Sequence, residues 1–266
     1  MKPAKKVTAS AVEKVPLAQR LKAALAALEK LRTRRDLDNL PRFGISAKGA
    51  LGVSMANVQR VAKTLGRDHE LAHALWDSGC YEARLLTAFV AEPARVTPAD
   101  MERWCHDFDN WAVCDTLCFH LFDRVPHAWN KIRKWSRARE EFVKRTAFAL
   151  MASIAGHDRD AEDAVFLAGL PLIEAAASDP RNFVKKAVNW ALRRIGRRNR
   201  ALNVACVALS QTLVASSDAT ARWVGRGALK ELTSAPVLRA LDKSPAKPRS
   251  KAQTTKTPRA KKAAAK

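Results

Sequence analysis

The chain has 266 residues, with 48 Lys and Arg against 26 Asp and Glu, giving a formal net charge of +22. Apolar residues make up 47% of it, which excludes a wholly disordered polymer, and no run approaches the roughly 20 apolar residues that span a bilayer. So large a basic excess favours a polyanionic partner, of which nucleic acid is the commonest, and nothing in the sequence calls for a membrane.

Residues 1–14 carry four Lys and one Glu and read as a basic, flexible N-terminus. No apolar segment follows as in a secretory leader, so a cytoplasmic, nucleoid-associated placement is expected. From Val15 the chain reads as helix after helix. PLAQRLKAALAALEKLRT has apolar residues at three- and four-residue spacing, as do SMANVQRVAKTLG and EEFVKRTAFALMASIAGH. Between the first two lies NLPRFGISAKGALGVS, an irregular loop expected on the same surface as the N-terminal helices. Its Gly44, Gly49 and Gly52 match no phosphate-cradling motif. Helix starts are marked by Ser54, Asp68 and Asp218, and by Thr97-Pro98 and Asp179-Pro180, each a capping side chain before a first-turn proline.

Alternating strand patterns are absent, so the fold class is all-α, with about a dozen helices of 10–18 residues and short joints. Helix pairs recurring every 35–45 residues suggest a HEAT-like helical-repeat solenoid over 15–241 with a concave basic face, and a compact bundle is the alternative. Lys243 to Lys266 hold nine Lys or Arg and no acid, so 242–266 read as a disordered Lys/Ala/Pro-rich tail. The tail contributes +9 and residues 1–14 contribute +3, which leaves +10 of the +22 on the body. Cys80, Cys105, Cys114, Cys118 and Cys206 are odd in number and sit in apolar helical segments, which suits reduced core thiols.

Residues 69–73 read HELAH, a match to the zinc motif H-E-x-x-H. Three arguments stand against a metal there. Asp68 as cap puts His69 in the first turn, no further ligand is well signalled although Glu92 is a nominee, and Leu71 and Leu75 lie opposite the histidines, which should then face outward. Cys114 and Cys118, near His106 and His120, likewise read as core thiols. No metal site and no organic cofactor are expected.

Three helices carry more informative patterns. In residues 181–199, Val184, Val188, Ala191 and Ile195 form a buried stripe, while Lys186, Trp190, Arg193 and Arg197 lie on the other side. A tryptophan within a row of cations suits contact with a base or sugar while its neighbours hold phosphates, although packing beneath a neighbouring helix is the plainer alternative. In residues 140–156, Val143, Ala147, Leu150 and Ile154 form the stripe, so Arg145 is expected to point away from it, beside Ala149 and Ala152. In residues 107–122, Trp111 and Asp115 are four apart on one face. That helix is greasy nearly all round, so Asp115 is partly shielded and needs a partner or a purpose, a salt bridge being the simplest.

With these segments in order, the sequence resembles the AlkD-like DNA alkylation repair enzymes, built from HEAT-like repeats. The resemblance runs from about Arg42 to Leu232 through RFGISAKGALGVS, DHELAHALWDSGCYEARLL, the W-x-x-x-D of NWAVCD, FVKRTAF and VKKAVNWALRRIGRRN. It implies a glycosylase that excises cationic alkylated purines, such as 3-methyladenine and 7-methylguanine, from duplex DNA, acting as a monomer without a metal. It carries the catalytic residues onto Trp111, Asp115 and Trp190, and assigns phosphate contacts to Arg145 together with Lys186, Arg193 and Arg197. The rival reading is a non-catalytic repeat protein that recognises bent or branched DNA. The tail would raise nonspecific DNA affinity under either.

Overall fold

The computed structural model describes residues 15–243; the segment 1–14 and the basic tail beyond Lys243 lie outside the described residues, as does the role expected of that tail. All regular structure among the described residues is helical. The first helices are α1 (Leu17–Glu29), α2 (Arg34–Asn39), α3 (Met55–Leu65), α4 (His69–Asp77) and α5 (Tyr81–Val90). Then come α6 (Pro98–His106), α7 (Trp111–His120), α8 (Ala128–Trp135), α9 (Glu141–His157) and α10 (Asp163–Leu167). The series closes with α11 (Leu170–Ala176), α12 (Asn182–Gly196), α13 (Arg200–Val214), α14 (Ala219–Leu232) and α15 (Ala235–Lys243), so the last helix runs slightly past the boundary expected from composition.

Most expected caps are made. Ser54, Asp68 and Asp218 each accept the backbone N–H three residues on, and Thr97 forms a reciprocal capping box with Asp100 ahead of Pro98. Asp179-Pro180 is the exception, because α12 begins at Asn182 and is capped by no side chain. The Asp179 carboxylate instead takes Arg181 at 2.6 Å and Lys144 at 3.1 Å. Two nearby cations outcompete a helix end for one anion.

The packing explains the fold. Helices α3, α5, α7, α9, α12 and α14 pack one against the next in a row, while α4, α8, α11 and α13 cover successive members of it. Between the rows lies a continuous core that includes Trp76, Trp104, Trp135, Phe122 and Phe148, all essentially without solvent contact. Each such ring contributes about 1.5–3 kcal/mol by leaving water. Helix α9 is enclosed by α7, α8 and α12, so Ala149 and Ala152 are as buried as the stripe Val143, Ala147, Leu150 and Ile154. Four of the five cysteines are buried and all five are free thiols.

The loop after α2 is held rigidly. Glu82, fully buried at the start of α5, accepts the backbone N–H groups of Leu51 at 2.8 Å, Gly52 at 2.8 Å and Val53 at 3.1 Å. Gly52 has φ +85°, and a Cβ there would lie 2.6 Å from the Thr33 carbonyl oxygen, so no other residue fits without moving the backbone. One buried carboxylate thus fixes the C-terminal end of the loop whose other end, at Phe43, reaches the candidate site.

Candidate functional site

The site begins as one row on α7. Trp111, Asp115 and Phe119 follow i, i+4, i+8 spacing and share a face. Trp111, half-buried at the first turn, donates its indole N–H to the Phe43 carbonyl at 2.9 Å, which pins the ring to the loop. Asp115 meets Arg145 of α9 in a two-bond clamp, with Nε donating to Oδ1 at 3.0 Å and Nη2 to Oδ2 at 2.7 Å. A third bond runs from Arg145 Nη1 to the Phe183 carbonyl of α12 at 2.7 Å. Phe119 stacks on Trp190 of α12, with centroids 4.9 Å apart and planes 10° from parallel. The two tryptophans and the aspartate are therefore linked through α7, neither scattered nor sealed in the core.

The Asp115–Arg145 pair is largely withdrawn from water, with side chains 17% and 7% exposed. Burial pushes the Asp115 carboxyl above the ordinary aspartate range, against the opposing pull of the Arg145 charge. Burial alone would lower the guanidinium, but the adjacent carboxylate more than reverses that and raises it. The pair is an ionised, fixed dipole whose carboxylate is held in one orientation.

Arg145 does not point outward as its helix stripe implied. Its helix has neighbours on every side, so the face opposite the stripe is also interior, and three of its N–H groups are spent on Asp115 and Phe183. On α12 the stripe Val184, Val188, Ala191 and Ile195 is buried as expected. Lys186 and Arg197 are exposed, while Trp190 and Arg193 are half-buried. Glu231 of α14 holds Arg193 at 2.5 Å and Arg197 at 3.4 Å, whereas Lys186 makes no ion pair among the described residues.

Sequence reasoning missed Phe119 and the Phe43 carbonyl. Phe119 could have been found from its i+4 relation to Asp115; a backbone carbonyl 68 residues upstream leaves no sequence signal. The loop was expected beside the N-terminal helices, and it also reaches the site, with Gly44 against Phe183.

The HELAH segment also differs from expectation. His69 is 6% exposed rather than outward-facing, and its Nε2 lies 3.2 Å from His73 Nε2. The nearby carboxylate is that of Asp100, 3.7 Å from His73, not that of Glu92. Helix α6 covers the face that a lone amphipathic helix would leave to solvent.

The sequence profile described as DNA alkylation repair enzyme matches residues 24–232. The chain belongs to the DNA alkylation repair enzyme family. A comparison with curated proteins gave no match. Among solved structures, one similar chain is described as representing "a new family of proteins related to the HEAT-like repeat DNA glycosylases with affinity for branched DNA structures". It aligns with a TM-score of 0.65 at 18% identity, over 72% of this chain and 82% of its own. At that identity it speaks for the fold, which is the HEAT-like helical repeat expected from the family. Two designed armadillo repeat proteins align at TM-scores of 0.31 and 0.35. The first is 12% identical over 66% of this chain and 92% of its own, the second 13% identical over 86% and 92%.

Proposed function

We propose that the protein is a DNA glycosylase that releases cationic alkylated purines, of the 3-methyladenine and 7-methylguanine type, from duplex DNA. The observation that carries this reading is the linked row Trp111, Asp115, Phe119 and Trp190, with its single carboxylate clamped by Arg145. A purine alkylated at a ring nitrogen already carries a positive charge, so its glycosidic bond breaks without protonation of the base. The task left to the enzyme is to stabilise the oxocarbenium-like sugar, and a fixed carboxylate in a shielded place does this electrostatically. Asp115 takes that role and helps position the attacking water. Arg145 is a positioning residue: it holds the carboxylate ionised and correctly turned. Trp111, fixed by its N–H bond, and the face of Trp190 away from Phe119 pack against the deoxyribose and the cationic base.

Lys186 supplies the first phosphate contact. Arg193 and Arg197 join it once DNA phosphates compete with Glu231 for them. The chemistry needs no metal and no organic cofactor, and a monomer suffices. The rival reading, shape-selective binding of branched DNA without excision, draws support from the described affinity of the structural relative. Purified protein incubated with methylated duplex and assayed for free 7-methylguanine separates the two. Release above the spontaneous rate is expected. No release, together with tighter binding to a four-way junction than to methylated duplex, would favour the rival.

A further inference from the structure

We propose that His69, His73 and Asp100 form a binding site for a divalent transition-metal ion of the zinc class, bracing α4 against α6. The three side chains offer His69 Nε2, His73 Nε2 and a carboxylate oxygen, all within 4.8 Å of one another. Zinc bonds to imidazole nitrogen are about 2.0–2.1 Å long, so two nitrogens on a tetrahedral ion sit about 3.3–3.4 Å apart, and on an octahedral ion nearer 3.0 Å. The 3.2 Å between the two Nε2 atoms, a histidine–histidine hydrogen bond as the structure stands, is close to that spacing. The 3.7 Å from His73 Nε2 to Asp100 Oδ1 and the 4.8 Å span of the three donors exceed it, so the carboxylate must draw inward as the ion binds. Two imidazoles and one carboxylate are an ordinary zinc donor set, with a fourth position for water.

The surroundings also fit. Asp100 Oδ2 is occupied by the Thr97 backbone N–H at 2.9 Å and the Thr97 hydroxyl at 2.7 Å, which fixes the carboxylate and leaves Oδ1 toward the histidines. The neighbouring arginines are already balanced, Arg103 by Asp77 at 2.5 Å and Arg95 by Glu92 at 3.3 Å. His69 Nδ1 is buried without a partner among the described residues, so ligation through Nε2 leaves its N–H in need of an acceptor such as water. One group opposes the ion: Arg103 Nη2 lies 2.9 Å from His73 Nδ1, the nitrogen that must carry the proton once Nε2 binds metal. Metal binding therefore displaces Arg103 toward Asp77, and Arg103 acts as a competitor.

The site is a brace rather than a hydrolytic centre. Glu70, the general base of the zincin motif, is bonded instead to Arg20 at 3.0 Å. None of the proposed base-excision residues takes part.

The test uses full-length protein freed of metal with a chelator. It is titrated with Co2+ by visible absorption and with Zn2+ against a chromophoric competitor, with circular dichroism as the folding control. Wild type should bind one equivalent with a tetrahedral cobalt spectrum, and Zn2+ should raise its melting temperature. His73→Gln and Asp100→Asn should each weaken binding on the order of 100-fold, and Arg103→Gln should tighten it about tenfold. A misfolded variant cannot produce that last gain. Absence of saturable binding by wild type, unaltered affinity in His73→Gln, or no gain in Arg103→Gln would each overturn the proposal.

Discussion

Replacing Arg145 by Gln tests the central pair without touching the carboxylate itself. The change removes two charge-assisted bonds to Asp115, at 3.0 and 2.7 Å, and one to the Phe183 carbonyl, at 2.7 Å. Leaving one member of a buried ion pair unpartnered costs about 3–5 kcal/mol, and the partial exposure of Asp115 places the loss near about 3 kcal/mol. For a domain of this length that corresponds to a fall of roughly 6–12 °C in melting temperature. The loss should depend on pH. Burial already raises the Asp115 carboxyl above its unfolded value, and without Arg145 it rises further. A carboxyl that binds its proton more tightly when folded favours the folded state on acidification. The penalty of Arg145→Gln should therefore shrink as pH falls through the variant's further-raised value toward the raised value of wild type, below which both folded carboxyls are protonated. Urea denaturation at several pH values measures this, and Asp115→Asn/Arg145→Gln should recover much of the loss. If Arg145→Gln instead left stability within about 0.5 kcal/mol of wild type and reduced the salt dependence of DNA binding by about one phosphate contact, Arg145 would be a solvated phosphate clamp and the positioning role wrong.

Other consequences can be measured separately. Trp111→Phe removes the N–H bond to the Phe43 carbonyl while keeping an aromatic face, so stability should fall by about 1 kcal/mol and base release should slow more than binding weakens. Lys186→Ala should lower the slope of log affinity against log salt by about 0.9, whereas Arg193→Ala should lower it less, because Glu231 already holds that guanidinium; equal slopes would contradict the assigned difference. Glu102 is pulled up by partial burial, but bonds from Lys131 at 2.5 Å and Lys134 at 2.6 Å outweigh this and bring it from 4.5 to about 2. Its contribution, about 1–2 kcal/mol after screening, should be complete above pH 4.5 and vanish as pH falls toward 2, so Glu102→Gln should destabilise at neutral pH and be nearly silent in strong acid.

The helical class and most helix starts were legible because they rest on local chemistry. The caps at Ser54, Asp68, Thr97 and Asp218 each engage an amide three residues away, and the α12 stripe is a property of one helix. The Trp111–Asp115 row was legible for the same reason. What escaped depends on neighbours. Arg145 and His69 were expected outward because a two-sided helix was assumed, yet α9 and α4 sit among several others. Asp179 was expected to cap a helix, and Arg181 two residues on, together with Lys144 from α9, claims it. The Phe119–Trp190 stack and the Trp111–Phe43 bond join residues distant in sequence, so periodicity carries no trace of them.

The decisive measurement is single-turnover release of 7-methylguanine from methylated duplex at saturating protein, wild type against Asp115→Asn, with DNA affinity measured in parallel. A stabilising carboxylate predicts a rate loss of about 10²–10³ with affinity little changed. Equal rates for the two proteins would show that the Asp115 carboxylate takes no part in breaking the bond.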